Sequence, residues 1–341
     1  MKQETTFYEE LQNSQDIDLR DNRGKRHDLG LILIGMILGL LRKRDGNLSS
    51  IHRSMKNKQA KICEVLGVDN QKVVSRSHLP VLLGKVNRES FERLLFKHYG
   101  FQLNEQQQEW FSGDGKELRG SIEKGDKRGE VCVQIVSHQD TSVVGQAFYN
   151  GTKESEKPCL AQLVQRTGVH KQYFTADALH LHPKMTAPIN QAGGTFVIGL
   201  KDNQRELLTD MIGYTTRAAT RLEHKTVDKG HGRLEIRHYS CFDVTGEYFD
   251  KRWDESGFGS LIRVRRTRTT LITNESSDEV SYYISNGKCE KAIEYFETVR
   301  NHWSIEVNNH YRDVSLQEDQ LRTKKSRLQG SWLVLEHLSW N

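Results

Sequence analysis

The chain has 341 residues, 35% hydrophobic and 28% charged, with a net charge of +5 and only four prolines. That length supports one large core or two smaller ones, and the composition excludes a mainly membrane-embedded chain and long disordered linkers. The five cysteines, Cys63, Cys132, Cys159, Cys241 and Cys289, are scattered and form no CxxC. This argues against a disulfide framework and a structural zinc site and suits a reducing cytoplasm.

The N-terminus is polar and has no secretory leader pattern. Residues 1–104 read as a helical domain. The run Leu29 to Leu41 is almost wholly apolar. It is too short for a bilayer, which needs about 20 residues, and reads as a buried helix. Ser49 to Leu66 places Ile51, Met55, Ala60, Ile62 and Val65 at helical spacing between Arg53, Lys56, Lys58 and Lys61. A third helical stretch runs from Leu79 to Gly100, with Asn87 placed to start its last part. Short helices with one basic face suit a DNA-binding bundle. A dimerisation or packing module fits equally well.

From residue 107 the pattern changes. Glu130–Gln139 and Ser142–Asn150 read as strands joined by the polar turn HQDT. A helix follows at about 157–167, then two short strands ending in polar residues, QYFTADALH and GGTFVIGLKDNQ. The succession strand, strand, strand, helix, strand, helix, strand predicts a mixed α/β sheet. Strand-rich sequence returns at about 222–285 in LEIRHYSCFDV, SLIRVRRTRTT and EVSYYISN, and a final helical block begins near Lys291.

Three carboxylates stand out within this scheme. Asp114 lies in GDGKELRGS, where the first strand should run, with Gly113 and Gly115 leaving room for a metal or a close backbone. A DG turn is the plainer reading there. Asp177 follows the strand QYFTA, at the sheet end where α/β folds bind ligands. A helix cap before ALHLH is the plainer reading. Glu306 lies on the late helix RNHWSIEVNNHYRD, on one face with His302, Trp303 and His310. A surface glutamate is the plainer reading.

The ordered segments NRGKRHDLGLILIGMILGLL, GDGKELRGS, FTADALH, VIGLKDNQ, HGRLEIRHY, VSYYISN and RNHWSIEVNNHYRDVSLQED closely resemble the H-repeat-associated transposases of bacterial insertion sequences. The resemblance covers nearly the whole chain. It implies a DDE transposase: a ribonuclease H-like mixed sheet flanked by helices over residues 105–341, with a β-rich insertion at about 205–285 and an N-terminal helical domain. It further implies that Asp114, Asp177 and Glu306 hold two Mg²⁺ ions, for which Mn²⁺ could substitute. The implied partners are double-stranded DNA, as terminal inverted repeats and target, and a second copy of the chain on that DNA. The implied location is a bacterial cytoplasm, near the nucleoid. A metal-dependent nuclease that cuts without joining uses the same acids, and a domesticated DNA-binding protein without catalysis is a third reading.

Basic groups supply candidate DNA contacts. Lys116 and Arg119 follow Asp114 closely, and Lys201 ends a strand on the same presumed edge. Arg300 and Arg312 flank Glu306 and are candidates for charge-assisted phosphate contacts, with His302 between Arg300 and the acid. Trp303 reads either as a stacking platform for an unpaired base or as a core tryptophan. In RVRRTRTT a strand would turn Arg263 and Arg265 to one face and Arg266 and Arg268 to the other, one pair for DNA and one for acids. Further basic clusters occur at Arg20–Arg26, Arg42–Arg44 and Arg322–Arg327. Asp313, Glu318 and Asp319 read as partners for nearby cations. His180 and His182 form an HxH with no further ligand at useful spacing, and zinc is not expected there.

Overall fold

The computed structural model describes residues 5–42, 48–99, 103–104, 106–122, 125, 127–150 and 153–314. The basic residues 43–44 and 322–327, and Glu318 and Asp319, lie outside them.

The N-terminal region is helical. Helix α1 (Phe7–Asn13) starts with a reciprocal cap in which Glu9 N–H donates to Thr6 Oγ1 at 3.3 Å and Thr6 N–H to Glu9 Oε2 at 2.8 Å. Helix α2 (Leu29–Arg42) is buried along most of its circumference, as its unbroken apolar run requires. It crosses α3 (Leu48–Leu66) so closely that a Cβ on Gly39 would lie 2.8 Å from Ile51 Cγ2. Ile51, Met55 and Ile62 of α3 face inward, whereas Arg53, Lys56, Lys58 and Lys61 are exposed. The third helical stretch is two helices, α4 (Leu79–Leu83) and α5 (Arg88–Tyr99). Asn87 starts the second by accepting from Ser90 N–H at 3.4 Å. Among the described residues, no helix is long and apolar enough to cross a membrane.

Among the described residues, the remainder is a mixed α/β structure built on one nine-stranded sheet. Strands β1 (Trp110–Glu117), β2 (Glu130–Ser137) and β3 (Val143–Asn150) form an antiparallel meander. Helix α6 (Lys153–Arg166) returns the chain to β4 (Tyr173–Ala176), and α7 (Pro183–Gln191) to β5 (Thr195–Leu200). Both β4 and β5 are parallel to β1. This is the element order read from the sequence. The core between sheet and helices includes Phe111, Ile135, Leu160, Phe174 and Phe196.

After α8 (Arg205–Thr215) come β6 (Leu222–Gly230), β7 (Arg233–Asp243), β8 (Ser260–Thr270) and β9 (Ser276–Ser285). They extend the sheet, because β9 pairs antiparallel with β5, giving the order β3-β2-β1-β4-β5-β9-β8-β7-β6. Strand β6 has no alternating apolar pattern and is mostly exposed, being the outer edge. It turns into β7 through His231 and Gly232, both at positive φ, the geometry of a two-residue hairpin turn.

The N-terminal helices pack on the β2–β3 side. Arg88 Nη1 is 2.8 Å from Glu130 Oε1 and its guanidinium lies 4.3 Å from the Phe148 ring centre. Glu92 accepts from Gln146 N–H at 3.3 Å.

The C-terminal described helices are α9 (Ala292–Asn301) and α10 (Trp303–Val314). The sequence spacing predicts one continuous helix across this stretch, but it breaks at His302. The His302 ring is drawn to β4, where Nδ1 lies 3.0 Å from Thr175 Oγ1.

Candidate active site

The parallel pairing of β1 with β4 sets the site. Its last partners are Gly113 and Ala176, so Asp114, still in β1, and Asp177, just past β4, are the next residues. Asp177 also caps the short turn Ala178–His180, accepting from Leu179 N–H at 3.0 Å. Both readings of this residue therefore hold together: it is a cap and it stands at the carboxyl end of a strand. Burial pushes the Asp114 carboxyl up to about 7, and the Asp177 charge adds to the rise. Two acids this close leave negative charge that a cation would neutralise.

A glutamate and a histidine complete this cluster. Glu156 projects from the first half of α6 and His180 ends the turn after Asp177. His180 Nε2 is 3.3 Å from Glu156 Oε1 and 3.8 Å from Asp177 Oδ1. The other oxygen of Glu156 accepts from the Tyr149 hydroxyl at 2.9 Å. Asp114, Glu156 and His180 each offer one donor atom within 4.8 Å of the others. His180 has no further donor at useful spacing in the sequence, but in space Asp114 and Glu156 stand beside it. Its companions come from β1 and α6, at distances in sequence that local spacing does not display. Gly115 is part of the reason: a Cβ there would lie 2.7 Å from Glu156 Cδ, so the glycine makes room for the carboxyl.

Helix α10 lies against β1 and β2 on this side. Asn309 Nδ2 donates to Asp114 Oδ2 at 3.3 Å. Arg312 Nη1 donates to Gln134 Oε1 at 2.7 Å and to Asn309 Oδ1 at 3.4 Å, and Asn308 Nδ2 reaches Gln134 Oε1 at 3.2 Å. Gln134 is itself the β2 partner of Asp114. At the start of the helix, Thr175 Oγ1 lies 3.0 Å from both His302 Nδ1 and His138 Nε2. Burial pushes His138 down to about 3 and His302 down to about 4, so both rings are neutral at pH 7. Glu306 is exposed on the first turn of α10. It stands four residues after His302, which touches β4, and three before Asn309, which touches Asp114.

The basic candidates occupy varied settings. Lys116 forms an ion pair with Asp313, the kind of partnership read for that acid. Arg119 and Lys201 are exposed. Arg300 Nη1 is 2.6 Å from Asp228 Oδ2, and Trp303 is 60% exposed, which sets aside a core position. Arg312 is only 3% exposed and its guanidinium points inward, so it ties α10 to the sheet instead of presenting a free charge. In β8, Arg263 reaches Ser240 Oγ at 3.4 Å, while Arg265, Arg266 and Arg268 pair with Asp278, Glu279 and Glu235 on neighbouring strands. Acid partners thus fall on both faces of the strand, to Arg265 on one and to Arg266 and Arg268 on the other. Glu156, Gln134, Asn309 and Thr175 had no sequence signal of their own, because each matters only through a partner on a distant element.

No family model matches the chain. Among curated proteins it is 27% identical over 237 residues to "Putative protein YbfL" and, over the same length, to "H repeat-associated putative transposase YhhI", both of Escherichia coli K12. Each match covers 67% of this chain and 62% of the relative. A third, "Putative transposase YncI" of Escherichia coli O157:H7, is 27% identical over 220 residues, covering 62% of this chain and 56% of its own. The chain thus aligns with about three fifths of the length of these relatives. Two of the three are named putative transposases, one of them H repeat-associated, which bears out the resemblance over about two thirds of the chain and not nearly the whole of it.

Proposed function

We propose that the protein is a DDE transposase of a bacterial insertion sequence, in which Asp114, Asp177 and Glu306 bind divalent metal at the ends of the element. The supporting observation is the meeting of three elements: Asp114 and Asp177 follow the last pairing of β1 with β4, and α10 touches the first neighbourhood through Asn309 while His302, the residue before the helix, touches the second, on either side of Glu306. The strand order β3-β2-β1-β4-β5 with helices between β3, β4 and β5 supports a ribonuclease H-like core. Carboxylate oxygens suit two Mg²⁺ ions, with Mn²⁺ as a substitute. A bound cation there supplies positive charge for the oxygens that gain charge during phosphoryl transfer.

The chain's own groups do the positioning. Asn309 fixes one oxygen of Asp114, the Leu179 amide fixes Asp177, and the Arg312–Gln134 contact holds α10 on the sheet. Arg119, Lys201 and Trp303 present exposed groups for the DNA backbone and an unpaired base. The exposed lysines and arginine of α3 add a basic face for duplex DNA in the helical domain. Two copies would act on paired ends.

The test uses a plasmid carrying the ends of the element from which the gene comes. Asp114→Asn, Asp177→Asn and Glu306→Gln should each lower Mg²⁺-dependent cleavage by at least 100-fold while retention of the end DNA in a gel-shift assay survives. Undiminished cleavage in any of the three removes that residue from the triad. Joined products support the transposase, whereas cleavage without joining indicates a nuclease.

A further inference from the structure

The triad leaves Glu156 and His180 without a role, yet both are inside the site. Glu156 is 7% exposed and His180 is fully buried. Neither ring nitrogen of His180 makes a hydrogen bond within the described structure. A buried imidazole normally satisfies at least one nitrogen, and this one leaves Nε2 unbonded 3.3 Å from Glu156 Oε1. The glutamate is pre-oriented: Tyr149 holds Oε2, and the missing Cβ of Gly115 admits the carboxyl beside Asp114.

We infer that Asp114, Glu156 and His180 form a divalent-metal site with one nitrogen and two carboxylate donors, selective for Mn²⁺ over Mg²⁺. The inference rests on the reading above for Asp114 as a cation ligand and adds two ligands to it. Bonds of about 2.0–2.2 Å separate ligands by roughly 3 Å at right angles and roughly 4 Å across the metal. The spacing of these donor atoms, within 4.8 Å, needs only a small contraction. Magnesium favours an all-oxygen shell, whereas an imidazole beside carboxylates suits manganese and later metals. Tyr149 then acts on the site through Glu156, as groups behind metal ligands do.

The experiment is titration of the full-length chain with Mn²⁺ alone, without DNA, followed by electron paramagnetic resonance. Saturable binding is expected in the wild type, with Mn²⁺ held at least tenfold more tightly than competing Mg²⁺. Glu156→Gln and His180→Gln should each weaken Mn²⁺ binding at least threefold. The wild-type complex, measured by pulsed methods, should show coupling to a ¹⁴N nucleus. That last readout needs no variant and is independent of any folding defect. Lack of saturable binding, Mg²⁺ competing as an equal, variants within threefold of the wild type, or absence of nitrogen coupling would each overturn the site. Failure here is separable from failure of the triad, because Glu306→Gln and Asp177→Asn are read by DNA cleavage and these variants by metal affinity.

Discussion

Asn309 and Asp114 meet at 3.3 Å across 195 residues of chain, and this hydrogen bond is the direct side-chain link from α10 to the acid of β1. An amide donor to a carboxylate contributes about 1.5–3 kcal/mol. Asn309→Ala should therefore cut cleavage of end DNA by roughly 10- to 100-fold, while circular dichroism shows a folded protein. Cleavage at the wild-type rate would mean that Asp114 is positioned without α10.

The first glycine of the GDG sequence is expected to be a packing residue. A Cβ on Gly113 would lie 2.8 Å from both Leu160 Cδ1 and Phe174 Cζ, in the core under the sheet. Gly113→Ala should destabilise the fold by about 1–3 kcal/mol through overpacking, seen as a lowered midpoint in urea. An unchanged midpoint would show that Leu160 and Phe174 repack at little cost.

Thr175 stands between two neutral histidines, His138 and His302. Thr175→Val keeps the shape and removes the hydroxyl that both rings use. Leaving buried nitrogens without that partner should cost about 1–3 kcal/mol. The expected signature is a lower melting temperature together with faster amide exchange at the start of α10.

Glu92 gives a pH-dependent prediction. Burial pushes its carboxyl up from 4.5 to about 7, against the opposing charge of Arg166 at 3.8 Å. Between these values the folded state holds a proton that the unfolded chain has released, so stability from this group is full below about pH 4.5 and is lost as pH rises through about 7. Glu92→Gln keeps an acceptor for the Gln146 amide and removes the titration. The variant should gain on the wild type across that window and be more stable by about 1–3 kcal/mol at pH 8, as measured by urea melts at each pH. A difference independent of pH would contradict the assignment.

The sheet was legible where strands run apolar or β-branched: Glu130–Gln139 and SLIRVRRTRTT read directly as β2 and β8. Helix α2 was legible because its run is apolar throughout. β6 was not, since an edge strand with charged residues on both faces carries no period to detect. The break at His302 was equally hidden, because a hydrogen bond to Thr175 interrupts a stretch whose local spacing favours a continuous helix. Asp114 and Asp177 carried only weak local cues, neighbouring glycines and a strand end, and their choice rested on the family resemblance. Glu156 and Asn309 carry no such cue. The same holds for Cys241 and Cys289, scattered in sequence yet 2.7 Å apart between sulfurs.

The outer strands continue the lattice that carries the acids, because β9 zips onto β5. From β4, which ends one residue before Asp177, to β6 there are five inter-strand steps, or about 24 Å at the usual spacing. The far hairpin therefore works as a fixed outrigger. Anything gripped at its rim is held at a set span from the carboxylates and cannot swing toward them without shearing ladder bonds.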